Sequence, residues 1–183
     1  MAMLLMILGL AIWTGAHVLK RVAPGARTAL GEKGRGVIVG LLVLSIVLMV
    51  VGYRGAEGPV FWGRNAALTG INNLLMLLAL YLFAAAGAKT ALARRMRHPM
   101  LAAVKVWALA HILVNGDVAS FVLFGGLLGW AVLHMILINR TEPEWTPPAP
   151  APVKKEVSAV VITVVIYALI AVIHGWLGYG VFG

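Results

Sequence analysis

Three histidines of this chain follow a tryptophan by four residues: Trp13/His17, Trp107/His111 and Trp130/His134. On a helix, residues at this spacing share one face, so indole and imidazole meet. Such a ring can flank an imidazole that ligates a metal, or the pair can simply pack, with the histidine bonded to a neighbouring helix. The other polar groups set in apolar sequence are Asn72, Asn73, Lys105, Asn115 and His174, and His98 stands just before Pro99. The six acidic residues, Glu32, Glu57, Asp117, Glu142, Glu144 and Glu156, all fall between or at the ends of apolar stretches. Paired carboxylates, a carboxylate proton relay and a carboxylate-rich divalent metal site therefore have no residues to use. The chain has no cysteine, which excludes disulfides, Cys-ligated zinc, iron–sulfur clusters and thiolate-ligated or covalently attached haem. A Ser-His-Asp triad lacks hydroxyl groups near a carboxylate, and no nucleotide-binding glycine loop is present. What remains is imidazole, one cation within an apolar stretch, and many apolar and aromatic side chains. That lining suits a non-covalent haem: axial histidines, an apolar cavity, and Lys or Arg for the propionates.

The elements that would position these groups are membrane helices. Of 183 residues, 62% are apolar and 11% charged, and the mean hydropathy is +0.97. A soluble domain is nearer about 45–50% apolar and about 25% charged. A water-soluble enzyme and a disordered segment are thereby excluded, leaving an all-α, polytopic transmembrane bundle. Six segments approach the roughly 20 apolar residues a span requires: Met3–Leu19, Val37–Tyr53, Leu68–Ala88, Pro99–Asn115, Ser120–Ile138 and Val157–Tyr179. The N-terminal run has no basic region before it and no small-residue cleavage site, so it reads as a first span and not a leader.

The net charge of +9 would suggest nucleic acid in a soluble protein. Its distribution says otherwise. Alternate connections hold twelve of the Lys and Arg residues against two, Arg54 and Arg64, with Lys105 inside the fourth span. Basic residues collect on the cytoplasmic side, so the expected arrangement has six spans and both termini outside the cytoplasm of a bacterial inner membrane. The bilayer is the partner and nucleic acid is not. Glu142–Val153 is proline-rich and reads as an extended linker. The expected organisation is a five-helix core over 1–140, a linker over 141–156 and a separate sixth helix over 157–183.

Depth constrains the histidines. His17, His98 and His134 fall toward the cytoplasmic side of this arrangement, His111 and His174 toward the outer side. His17 and His111 differ in depth by about 14 Å at 1.5 Å per residue. Two histidines on one iron can have their Cα atoms roughly 12–13 Å apart, with Fe–N bonds near 2 Å. By depth, His111 with His174 is the easier pair. Lys105 lies about 9 Å into its span, where it can snorkel to the surface or meet a propionate. Met76 and Met135 could ligate iron, but as gap-fillers they belong to the core.

The block RHPMLAAVKVWALAHILVNGD, Arg97 to Asp117, resembles the signature of the NnrU family of bacterial integral membrane proteins. GLAIWTGAHVLKRVAPGAR, the GEKGRG stretch at Gly31–Gly36 and the terminal HGWLGYG resemble the same family, which thus covers all but the linker. The resemblance implies a role linked to denitrification, in nitrite and nitric oxide metabolism. It also implies kinship with plant zeta-carotene isomerase, a haem b membrane enzyme acting on a polyene double bond. The isomerase's axial histidines map onto His111 and His17. Its cysteine between tryptophan and histidine maps onto Ala108, so a sulfur-based ligand exchange is impossible here. The RHP triplet also resembles membrane isoprenylcysteine-type methyltransferases, whose following Tyr and Gly are replaced by Met100, Leu101 and Ala102.

The expectation is an NnrU-type membrane protein with b-type haem bound by His17 and His111, and with Lys105 or Arg97 near the propionates. His98 and His174 complete the cofactor-contacting set; no catalytic group is assigned. The rival readings are a haem-dependent polyene isomerase with a lipophilic substrate, and a cofactor-free assembly protein for a respiratory membrane complex.

Overall fold

The computed structural model describes residues 1–182 and is almost wholly helical. In chain order the elements are α1 (Ala2–Val22), α2 (Pro24–Ala29), α3 (Gly34–Gly55), β1 (Val60–Trp62), α4 (Ala66–Ala88), α5 (Ala91–Arg95), α6 (Pro99–Val114), β2 (Gly116–Asp117), α7 (Val118–Thr141) and α8 (Val153–Trp176). Each of the six expected spans is one of these helices. Five are long and apolar enough to cross a membrane. The sixth, α6, has 16 residues; at 1.5 Å per residue it covers about 24 Å, less than the roughly 30 Å of hydrocarbon. The polytopic helical architecture read from composition is the one observed.

The helices form two compact units. The first comprises Met1–Phe61 and Gly116–Pro143. Here α1 packs on α3 and on α7. Without a hydrophobic driving force between helices in lipid, close backbone approach decides which faces meet. Glycine supplies it: a Cβ on Gly52 would stand 2.5 Å from the Met6 amide nitrogen, and one on Gly9 would stand 2.8 Å from the Ser45 carbonyl. Met6 and Ser45 are fully buried at this seam. The start of α7 is fixed by Asp117, whose carboxylate accepts from the Ser120 amide at 2.8 Å and from its hydroxyl at 2.7 Å. Tyr53 on α3 shares a 2.8 Å hydrogen bond with that same hydroxyl. The β1–β2 ladder was not expected from the sequence; a three-residue strand facing a two-residue one is too short to show alternation.

The second unit comprises Trp62–Asn115 and Glu144–Gly183. Its centre is α4, against which both α6 and α8 pack. Asn65 caps α4, accepting from the Leu68 amide at 2.9 Å. At the other end Lys89 takes the left-handed conformation, φ 58°, that stops the helix. Pro99 then opens α6 at its first helical position, where the missing N–H costs nothing. The proline-rich segment is pinned within this unit: Arg94 donates to the Pro148 carbonyl at 2.9 Å, and Glu156 accepts from the Ala91 amide at 2.6 Å. It thus carries α8 back onto α4, and α8 starts at Val153. Val157, Val160, Val161, Val164 and Val165 remain exposed on α8, as expected of a helix whose outer surface meets lipid.

Candidate functional site

A histidine on a helix can send Nδ1–H back to the carbonyl four residues earlier. His17 does so to Trp13, His111 to Trp107 and His174 to Ile170, each at 2.9 Å. A carbonyl only accepts, so Nδ1 carries the proton in each ring, and any bond to a metal must be made through Nε2. This is the second-sphere hydrogen bond that orients metal-ligating imidazoles. His174 makes it with no tryptophan four residues before it, so the bond comes from helix geometry and not from the indole. The tryptophans add ring contact: Trp13 to His17 at 4.3 Å and Trp107 to His111 at 4.9 Å.

In the first unit, α7 brings the third Trp/His pair onto the first. Trp130 lies 5.3 Å from Trp13 and 4.7 Å from His17, edge to face in both cases. His134 lies 6.0 Å from His17. The guanidinium of Arg21 donates to His134 Nε2 at 3.3 Å and pairs with Glu142 at 3.2 Å. His134 Nε2 is therefore engaged as an acceptor, which sets this ring apart from His17. Among the described residues neither the Trp13 nor the Trp130 indole N–H has a hydrogen-bond partner, although both nitrogens are buried. Beside His17 opens a cavity of about 260 Å³, rimmed by Lys20, Arg21, Arg27 and Arg35.

In the second unit, His111 sits near the end of α6 and His174 near the end of α8, within electrostatic reach of it. Amides and carbonyls are bonded to one another elsewhere in this unit as well as at His111. Asn115 donates to the His111 carbonyl at 2.9 Å, and Asn73 to the Val181 carbonyl at 3.1 Å. Asn72 in turn donates to Asn73 at 3.2 Å. Arg64 holds the carbonyls of Gly180 and Val181, and the Trp62 indole donates to the Leu113 carbonyl at 3.1 Å.

The expected site residues thus divide. His17 belongs to the first unit; His111, His174, Lys105, Arg97 and His98 belong to the second. His98 is the N-cap residue of α6, and Arg97 immediately precedes it. Lys105 stands six residues before His111 on α6, about 9 Å along the axis and about 120° around it. The sequence reading overlooked Lys20, Arg21, Arg27 and Arg35 as site residues, treating them as markers of orientation. The spacing of His17, Lys20 and Arg21, at i, i+3 and i+4, was the available signal that they share a face. Among the described residues no three His, Asp or Glu side chains converge as a metal cage. The neutral imidazole nitrogens are the donors available, and they suit haem iron.

The model of the NnrU protein family matches residues 5–181, nearly the whole chain. No curated protein and no solved structure matches it.

Proposed function

The chain belongs to the NnrU family, and from that premise we propose that it is a multi-pass membrane protein that binds b-type haem and serves nitrite and nitric oxide metabolism. His17 and His111 would hold the iron, each through Nε2, and Lys105 or Arg97 would meet the propionates. The observation that supports this reading is that each imidazole commits Nδ1 to the carbonyl one turn back and so keeps Nε2 as its donor; His174 makes the same bond, and the choice of His17 and His111 over it rests on the family resemblance. That bond fixes the tautomer and raises the basicity of the other nitrogen, as a ligand to iron requires. When bound, such a haem would supply a one-electron centre. The protein's own part would be to present two imidazole Nε2 atoms from apolar helices that carry no cysteine and no carboxylate within their spans. The protein sits in the bacterial inner membrane with both termini outside the cytoplasm, a reading supported by the alternation of basic connections.

The test is cofactor content. The full chain, purified in mild detergent from cells supplied with haem precursor, is extracted and assayed as the pyridine haemochrome. One haem b per chain supports the proposal. A preparation that holds none, even after incubation with haemin, overturns it and leaves the assembly-protein reading.

A further inference from the structure

Four cations meet where three elements of the first unit come together. Lys20 and Arg21 end α1, Arg27 ends α2, and Arg35 opens α3. All four rim the cavity of about 260 Å³ beside His17. Only Arg21 has a carboxylate partner, Glu142; among the described residues Lys20, Arg27 and Arg35 are paired with none. Glu32 stands in the adjoining turn and is not bonded to them.

Arg35 compounds the problem. A cation in the first turn of a helix opposes the helix dipole, and the N-terminus of α3 has no side-chain cap and no acidic residue in its first turn. The cluster therefore adds converging positive charge to the positive end of a helix dipole, and this calls for an anion with several acceptor oxygens.

The apolar part of the lining narrows the choice. Ile38, Val39 and Leu42, which follow Arg35 along α3, line the cavity as well. Val39 continues into Val43, Ile46 and Val50, all about half exposed and spaced at helical intervals along the same stretch of α3. A charged rim leading directly into an apolar strip fits a molecule with a phosphate at one end and a hydrocarbon chain at the other. We propose that this cavity is a discrete site for an anionic phospholipid, its phosphodiester held by Lys20, Arg21, Arg27 and Arg35 and one acyl chain lying along Val39, Val43 and Ile46.

Native mass spectrometry of the full chain, titrated with phosphatidylglycerol or with phosphatidylcholine of the same acyl composition, tests this. Juxtamembrane cations contribute roughly a factor of five in affinity each. Arg27→Gln/Arg35→Gln together should therefore weaken phosphatidylglycerol binding by about tenfold or more. Lys154→Gln/Lys155→Gln, which removes the same charge from the second unit, should change it less than about twofold. Phosphatidylcholine should bind wild type no better than it binds the Arg27/Arg35 variant. If the double variant does not fold, Arg35→Gln alone, at an exposed position, should still weaken binding by about fivefold. Equal weakening by the two double variants would overturn the site in favour of diffuse charge. Displacement of phosphatidylglycerol by an equal concentration of inorganic phosphate would overturn the lipid as its occupant.

Discussion

The surroundings of His17 and His111 differ more than the histidines themselves. Both follow a tryptophan by one turn, both send Nδ1–H to that tryptophan's carbonyl, and both touch its ring. Around His17 stand a second Trp/His pair and a ring of cations. His111 has instead Asn115 bonded to its carbonyl and His174 within electrostatic reach. A four-residue motif fixes how an imidazole is presented; the helices packed against it decide what charge it meets.

The two units also close in different ways, and substitution separates them. Gly52→Ala puts a methyl against backbone atoms of α1, with its Cβ 2.5 Å from the Met6 nitrogen. Overpacking of this kind costs about 1–3 kcal/mol, and the melting temperature in detergent should fall clearly. Gly70 on α4 has nothing within 4 Å of the same position. Gly70→Ala should leave the melting temperature unchanged or raise it, since alanine is better than glycine in a helix by roughly 0.5–1 kcal/mol. Equal losses at both positions would show that the α1–α3 seam is not what the glycine serves.

Helix starts come next in size. Asp117→Ala removes the cap of α7 and the acceptor for Ser120, whereas Asn65→Ala removes only the cap of α4. A lost cap costs about 1 kcal/mol, so Asp117→Ala should lower the melting temperature more than Asn65→Ala; the reverse order would reject the Tyr53–Ser120–Asp117 link. Arg21→Gln should have the smallest effect. Arg21 is 17% exposed but Glu142 56%, so water reaches the pair from the carboxylate side and it contributes about 1 kcal/mol or less. Its signature should instead be local, a change in Trp130 fluorescence beside the released His134 ring.

Most of the fold was legible because spans announce themselves. The apolar runs set the six helices, and Pro99 marked where one of them begins; the Asn65 and Asp117 caps emerge only from the structure. The pairing of those helices was not legible. Nothing in the apolar sequence of α8 says that it packs on α4, because a helix apolar on every side names no partner. Glycine at Gly9 and Gly52 carried that information for α1 and α3, but among 21 glycines it did not stand out. The site was partly legible for a similar reason. The Trp/His spacing predicts ring contacts, which local helix geometry alone produces. The meeting of Trp13, His17, Trp130 and His134 depends on residues more than a hundred positions apart, and the cation rim depends on three elements folding to one place.

Low-temperature electron paramagnetic resonance of the haem-loaded chain tests the central claim most directly. The wild type should give the low-spin ferric signal of two nitrogen ligands, and His17→Ala and His111→Ala should each convert it to high spin, while His134→Ala and His174→Ala leave it low-spin. A low-spin signal that survives both His17→Ala and His111→Ala would contradict the assignment.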